Sequence, residues 1–169
     1  GGGGGYCAGG SGKTITLSDS ETGTLYQLKR DATSVGDPKP GGGSLTFGPY
    51  TEPGTYTIVA TSPQGCTRLM AGSADIVVWP LPAAEAGNTI VINGYGVTTN
   101  LTGTASAGTT PYSQFVWTPA ASVSGANSVN NPTGNTFKVT TTQLTQNTPF
   151  NFTVAEANQC PATDTVSVL

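Results

Sequence analysis

The chain has 169 residues, no histidine, 9% charged residues and a formal net charge of −3. Without histidine it lacks Ser-His-Asp and Cys-His nucleophile systems and the commonest zinc ligand. Its six basic residues are scattered, so nothing displaces counterions from nucleic acid, and no apolar run reaches the roughly 18 residues of a membrane-spanning helix.

Residues 1–14, GGGGGYCAGGSGKT, end like a phosphate-binding loop, G-x-x-x-x-G-K-[ST]. Cys7 stands where the first glycine belongs, however, and TITLSDS continues as an alternating strand rather than a helix. A nucleotide site is therefore excluded. The glycines before Cys7 read as a flexible entry, and the start without methionine or signal peptide reads as a segment of a longer protein.

Strand-like runs follow at TITL (14–17), TLYQLK (24–29), SLTF (44–47), TYTIVAT (55–61) and SADIVVW (73–79), separated by turn residues. WPLPAAEAG (79–87) reads as a joint, because proline cannot extend a strand ladder. The boundary is placed at Pro82, giving domains 1–82 and 83–169. The second half offers TIVIN (89–93), VTTNLTGTA (97–105), YSQFVWT (112–118), TFKVTT (136–141), PFNFTV (149–154) and TDTVSVL (163–169).

The two halves share a terminal hairpin. TYTIVATSPQGC (55–66) and PFNFTVAEANQC (149–160) both alternate, turn and reach cysteine at the same spacing, and each is followed by a closing strand. Tyr56, Ile58 and Ala60 share one face of the first copy, and Phe150, Phe152 and Val154 one face of the second. The pattern predicts an all-β chain of two antiparallel β-sandwiches. Trp117, with Phe115 on its face, is expected in the second core, the rival reading being a sugar-stacking platform. Tyr50, Tyr95 and Tyr112 lie near turns and are the expected exposed contacts.

Of the three cysteines, Cys7 opens the first sandwich and Cys66 sits in its terminal hairpin, so a Cys7–Cys66 disulfide is expected. The competing reading is two buried free thiols. Such a bond requires an oxidising compartment. Cys160 matches Cys66, while Val91 stands where the second copy of Cys7 belongs. That leaves Cys160 odd, either buried and inert or engaged between molecules.

The stretches GGGGGYCAGGSGKTITLSDSETGTLYQL, GTYTIVATSPQGC and VVWPLP resemble the Ig-like repeats of giant Bacteroidetes cell-surface proteins. TPYSQFVWTPA and FNFTVAEANQC with DTVSV are similar to the PKD-like repeats of the same proteins. The resemblance implies two tandem Ig-like sandwiches exported by the type IX pathway to the surface of a Gram-negative cell. It also implies a structural role or an adhesion role beside neighbouring repeats, with a homo-oligomer or a surface glycan or protein as possible partners. Asp164-Thr165-Val166 resembles the O-glycosylation pattern of that lineage, with Thr165 as the acceptor. Asp19, Glu21, Asp31, Asp37 and Asp75 fall at turns and edges with no pairing that implies acid–base chemistry, so no enzyme activity and no cofactor are expected. Calcium at the acidic turn 19–21 is the one metal to consider.

Overall fold

A computed structural model describes all residues, Gly1 to Leu169. The chain divides into two compact units, Gly1–Val78 and Trp79–Leu169. The division precedes Pro82 because the proline-flanked joint is itself a strand. β-branched residues and frequent turn-forming glycines make the chain almost wholly strands and turns; its one helical piece is a single 3₁₀ turn, Ala120–Ser122.

In the first unit the strands are β1 (Gly4–Cys7), β2 (Lys13–Leu17), β3 (Leu25–Arg30), β4 (Thr33–Ser34), β5 (Lys39–Pro40), β6 (Leu45–Tyr50), β7 (Gly54–Thr61), β8 (Thr67–Leu69) and β9 (Ala74–Trp79). The large sheet runs β1-β9-β7-β3-β4, with β5 on β3 and β8 on β7, and faces the β2-β6 pair. Alternation sends Ile15, Tyr26, Leu28, Phe47, Tyr56 and Ile58 into the space between.

The opening glycines are an ordered part of this sandwich, contrary to the flexible entry expected. Thr16 N–H donates to Gly1 O at 2.8 Å and Gly3 N–H to Thr14 O at 2.9 Å, after which Gly4–Cys7 joins β9 in the other sheet. The first strand thus changes sheets within a few residues. Glycine is required at the crossing: Gly3 has φ +77°, and a Cβ there would lie 2.6 Å from Asp75 O. The GKT triplet is the strand start that the alternation suggested.

The second unit contains β10 (Pro82–Glu85), β11 (Asn100–Ala107), β12 (Gln114–Thr118), β13 (Val123–Ser124), β14 (Ser128–Asn130), β15 (Thr136–Thr141), β16 (Thr148–Ala155) and β17 (Pro161–Val168). Two four-stranded sheets, β10-β11-β15-β13 and β14-β12-β16-β17, make the sandwich. Residues 89–93 do not form the expected strand. Ile90 bridges Val168 in parallel, with Ile90 N–H donating to Ser167 O and Leu169 N–H to Ile90 O, both at 2.9 Å. Here too the first segment leaves one sheet for the other. In both units the central strands follow immunoglobulin-like order, and the fold is two tandem Ig-like β-sandwiches.

Trp117 is fully buried, as its alternation implied, and lies between the sheets with Phe115, Phe150 and Phe152. Its ring centroid is 5.0 Å from that of Phe152, and its indole N–H donates to Phe137 O at 3.3 Å. Across the core, Gly103 leaves room for the Phe152 ring, whose atoms would be 2.6 Å from an added Cβ.

Tyr56 is, with Tyr26, one of two buried phenols of the first core; its hydroxyl donates to Glu52 O at 2.8 Å. Burial pushes its pKa above the usual 10.0, against the opposing hydrogen bond and charge of Arg30. The folded phenol therefore holds its proton more tightly than the unfolded one. This contribution to stability is present below pH 10 and is lost as pH rises from the unfolded pKa through the folded one. Chemical denaturation between about pH 9 and 12 should show stability falling with pH, and Tyr56→Phe should flatten that fall. An equal slope in both proteins would assign it to other groups.

Candidate functional site

The repeated hairpins place the two matching cysteines in one loop geometry. Ser62 N–H donates to Cys66 O at 2.9 Å, and Glu156 N–H donates to Cys160 O at 3.1 Å. Gly65 N–H donates to Ser62 O, and Gln159 N–H to Glu156 O, both at 2.9 Å. Gly65 and Gln159 both have positive φ, +83° and +67°. The side chain at the loop's first position then returns to cap the cysteine amide. Ser62 Oγ accepts from Cys66 N–H at 3.3 Å, and Glu156 Oε1 accepts from Cys160 N–H at 3.2 Å. Equivalence of Cys66 and Cys160 is thus borne out down to individual hydrogen bonds.

Their chemistry differs. Cys66 is exposed and carries a free thiol, so the expected Cys7–Cys66 disulfide is not formed. Cys7 and Cys160 are the cysteines in disulfide form. The reading of Cys160 as an odd thiol is corrected with it, although the side chain is fully buried as expected. Sequence spacing fixed the matching loops but not the partners, because pairing depends on where Cβ vectors point rather than on chain position.

Four aspartates are engaged by the fold's own hydrogen bonds. Asp31 Oδ1 accepts from Thr55 N–H at 3.0 Å, Asp75 Oδ1 from Thr55 Oγ1 at 2.7 Å, and Asp19 Oδ1 from Ser20 N–H at 2.9 Å. Asp164 Oδ2 accepts from Ala86 N–H at 2.8 Å, holding the segment after β10 against β17. No group of three or more His, Cys, Asp or Glu side chains converges anywhere in the chain, the acidic turn at Asp19 and Glu21 included.

Thr165 projects from the outer face of β17, exposed, and its hydroxyl donates to Asn151 Oδ1 on β16 at 2.7 Å. One step along the same pair, the hydroxyls of Thr153 and Thr163 share a hydrogen bond at 2.9 Å. The residues paired on this outer face, Asn151, Thr153, Thr163 and Thr165, are uncharged and polar.

The three tyrosines proposed for surface contacts separate. Tyr112 is buried instead, 7% exposed, because its ring packs on Phe115 and its hydroxyl donates to Ala107 O at 3.0 Å. Tyr50 is half-buried and stacks on Tyr56, centroids 5.6 Å apart. Tyr95 alone stands in solvent, 73% exposed.

No protein-family model matches the chain. No curated protein is similar to it in sequence. Among solved structures, it is similar to the fibronectin(III)-like modules of Clostridium thermocellum CbhA over 99% of this chain and 88% of that one, with 14% identity and a TM-score of 0.47. A titin I-band fragment is matched over 97% of this chain and 61% of its own length, with 11% identity and a TM-score of 0.49. A Ca2+-stabilized adhesin of an Antarctic bacterium is matched over 98% of this chain and 46% of its own, with 15% identity and a TM-score of 0.45. The fold assignment rests on the strand order described above. No helix is long and apolar enough to cross a membrane.

Proposed function

We propose that the chain is a non-catalytic pair of Ig-like modules within a large exported cell-surface protein, where it serves as a structural spacer or assembly unit beside neighbouring repeats. The observation that carries this reading is the use of polar side chains. Asp31, Asp75, Glu156 and Asp164 all accept hydrogen bonds from the modules' own groups, which leaves no convergent set for chemistry. The disulfide form of Cys7 and Cys160 fits an oxidising compartment. Type IX export, a Bacteroidetes surface and a PKD-like second module follow from the sequence resemblance. An accessory position beside a secreted hydrolase fits the same structure, as does a homo-oligomeric appendage.

Within that reading Thr165 is the O-glycan acceptor. Its hydroxyl stands on an exposed strand face next to the Asp164 and Val166 that complete the pattern.

A swap tests the structural role. Exchange of residues 1–169 for an unrelated Ig-like pair of similar length should leave display and attachment by the parent protein intact. Loss of attachment with normal display would overturn the spacer role and favour the second reading, a glycan- or protein-binding adhesion module. That second reading has one specific observation in its favour, the exposure of Tyr95.

A further inference from the structure

The loop 92–97 is built to hold an aromatic ring in solvent. Ile92 N–H donates to Leu169 O at 2.9 Å on one side of Tyr95, and Gly96 N–H donates to Leu144 O at 2.6 Å on the other. Val97 completes the second attachment as a bridge to Leu144. Gly94 and Gly96, with φ +104° and +78°, turn the chain out and back around the tyrosine. The loop is therefore fixed at both ends, while the ring between them makes no aromatic pair and remains 73% exposed.

Exposing a large ring forgoes burial of apolar surface at about 25 cal/mol per Å². Tyr112, at another turn, takes that stabilisation by packing on Phe115. Tyr95 does not, and it borders a groove of about 230 Å³ lined by Ile92, Gly94, Gln146, Asn147 and Leu169. Gln146 and Asn147 are exposed at the groove. Elsewhere in this unit Gln114, Asn127 and Asn158 spend their side-chain amides on internal hydrogen bonds. No Asp, Glu, Lys or Arg side chain lines the groove.

We propose that Tyr95, Gln146 and Asn147 form a binding site for neutral saccharides. A pyranose ring presents an apolar C–H face and a rim of hydroxyls that both donate and accept. The tyrosine offers a flat surface to the first, and the two amides, each carrying a donor and an acceptor, match the second. With no cationic side chain in the groove to pair a carboxylate, neutral sugars are favoured over uronates and sialylated chains. Because the loop is pinned before binding, little ordering entropy remains to be lost when a sugar stacks. The site deepens the adhesion reading and is separate from the spacer role, which stands if the site fails.

The test is an NMR titration of the whole 169-residue chain with cellohexaose, xylohexaose, mannohexaose and chitohexaose up to about 10 mM, with oligogalacturonate as the charged control. At least one neutral oligosaccharide should shift the amides of Gly94, Tyr95, Gly96 and Asn147, with a Kd on the order of 1 mM for so small a contact. Tyr95→Ala should weaken binding at least about tenfold without changing the melting temperature, while Tyr95→Trp retains it. Shifts with oligogalacturonate alone, no shift with any neutral sugar, or undiminished binding by Tyr95→Ala would each overturn the proposal. None of these results bears on the swap experiment, so the two readings fail separately.

Discussion

Replacing Trp117 with alanine is expected to remove the second unit's cooperative melting transition or lower it sharply, while the first unit's transition stays in place. The indole is fully buried and packs on Phe152 of the neighbouring strand β16. Its removal forfeits transfer free energy and leaves a cavity that a β-sandwich cannot close by local collapse, a cost of about 3–5 kcal/mol. Small domains have only about 5–15 kcal/mol in total. The substitution also leaves Phe137 O without its indole donor. Calorimetry of the whole chain distinguishes the units, since the division at Val78 and Trp79 separates their cores. Trp117→Phe should recover part of the loss. Unchanged melting of Trp117→Ala would mean that the ring does not support the core.

The second large effect is expected at Glu156, a carboxylate with no exposed surface. Oε1 accepts from Asn158 N–H at 2.9 Å and from Cys160 N–H at 3.2 Å, and Oε2 accepts from the Asn158 amide at 3.2 Å. Glu156→Ala strands those donors inside the loop between β16 and β17. An unsatisfied buried donor costs about 1–3 kcal/mol, so the pair of backbone amides amounts to about 2–6 kcal/mol. Glu156→Gln keeps a carbonyl oxygen facing both backbone amides and should lose much less. Denaturant midpoints of the three proteins check the order. Equal loss for Ala and Gln would show that charge, rather than backbone capping, explains why an acid is buried there.

These two residues show what sequence reveals. Trp117 was legible because strand alternation with Phe115 dictates a buried face. The last hairpins were legible because the same pattern occurs twice. Strand positions at 13–17, 136–141 and in the terminal hairpins follow the alternation closely.

Failures occur where backbone, not side chains, sets the structure. Gly4–Cys7 and Pro82–Glu85 pair as strands through main-chain groups, and neither run carries a period-two pattern to announce it. Both lie in the segments that cross from sheet to sheet. Tyr112 was misplaced because a position near a turn says nothing of whether the ring folds back onto its neighbour. The burial of Glu156 was invisible for a related reason. Its partners are main-chain amides of its own loop, present in every sequence. The disulfide pairing was likewise beyond reach of spacing. Tyr95, expected in solvent on the same ground as Tyr112, is exposed, but the groove at Gln146 and Asn147 depends on a contact between distant loops.

One difference between the hairpins bears on how each unit opens. In the second, β16 and β17 pair without a break from Thr148↔Val168 to Ala155↔Pro161. In the first, the register Val59↔Leu69 would bring Tyr56 opposite Gly72, yet Tyr56 faces Ala74; two extra residues lie between β8 and β9. The first unit's closing strand is thus fastened in two short pieces, the second's in one long one. In deuterated solvent the amides of β8 should exchange through a local opening that leaves β9 protected. Those central in β17 should exchange only when the whole unit unfolds.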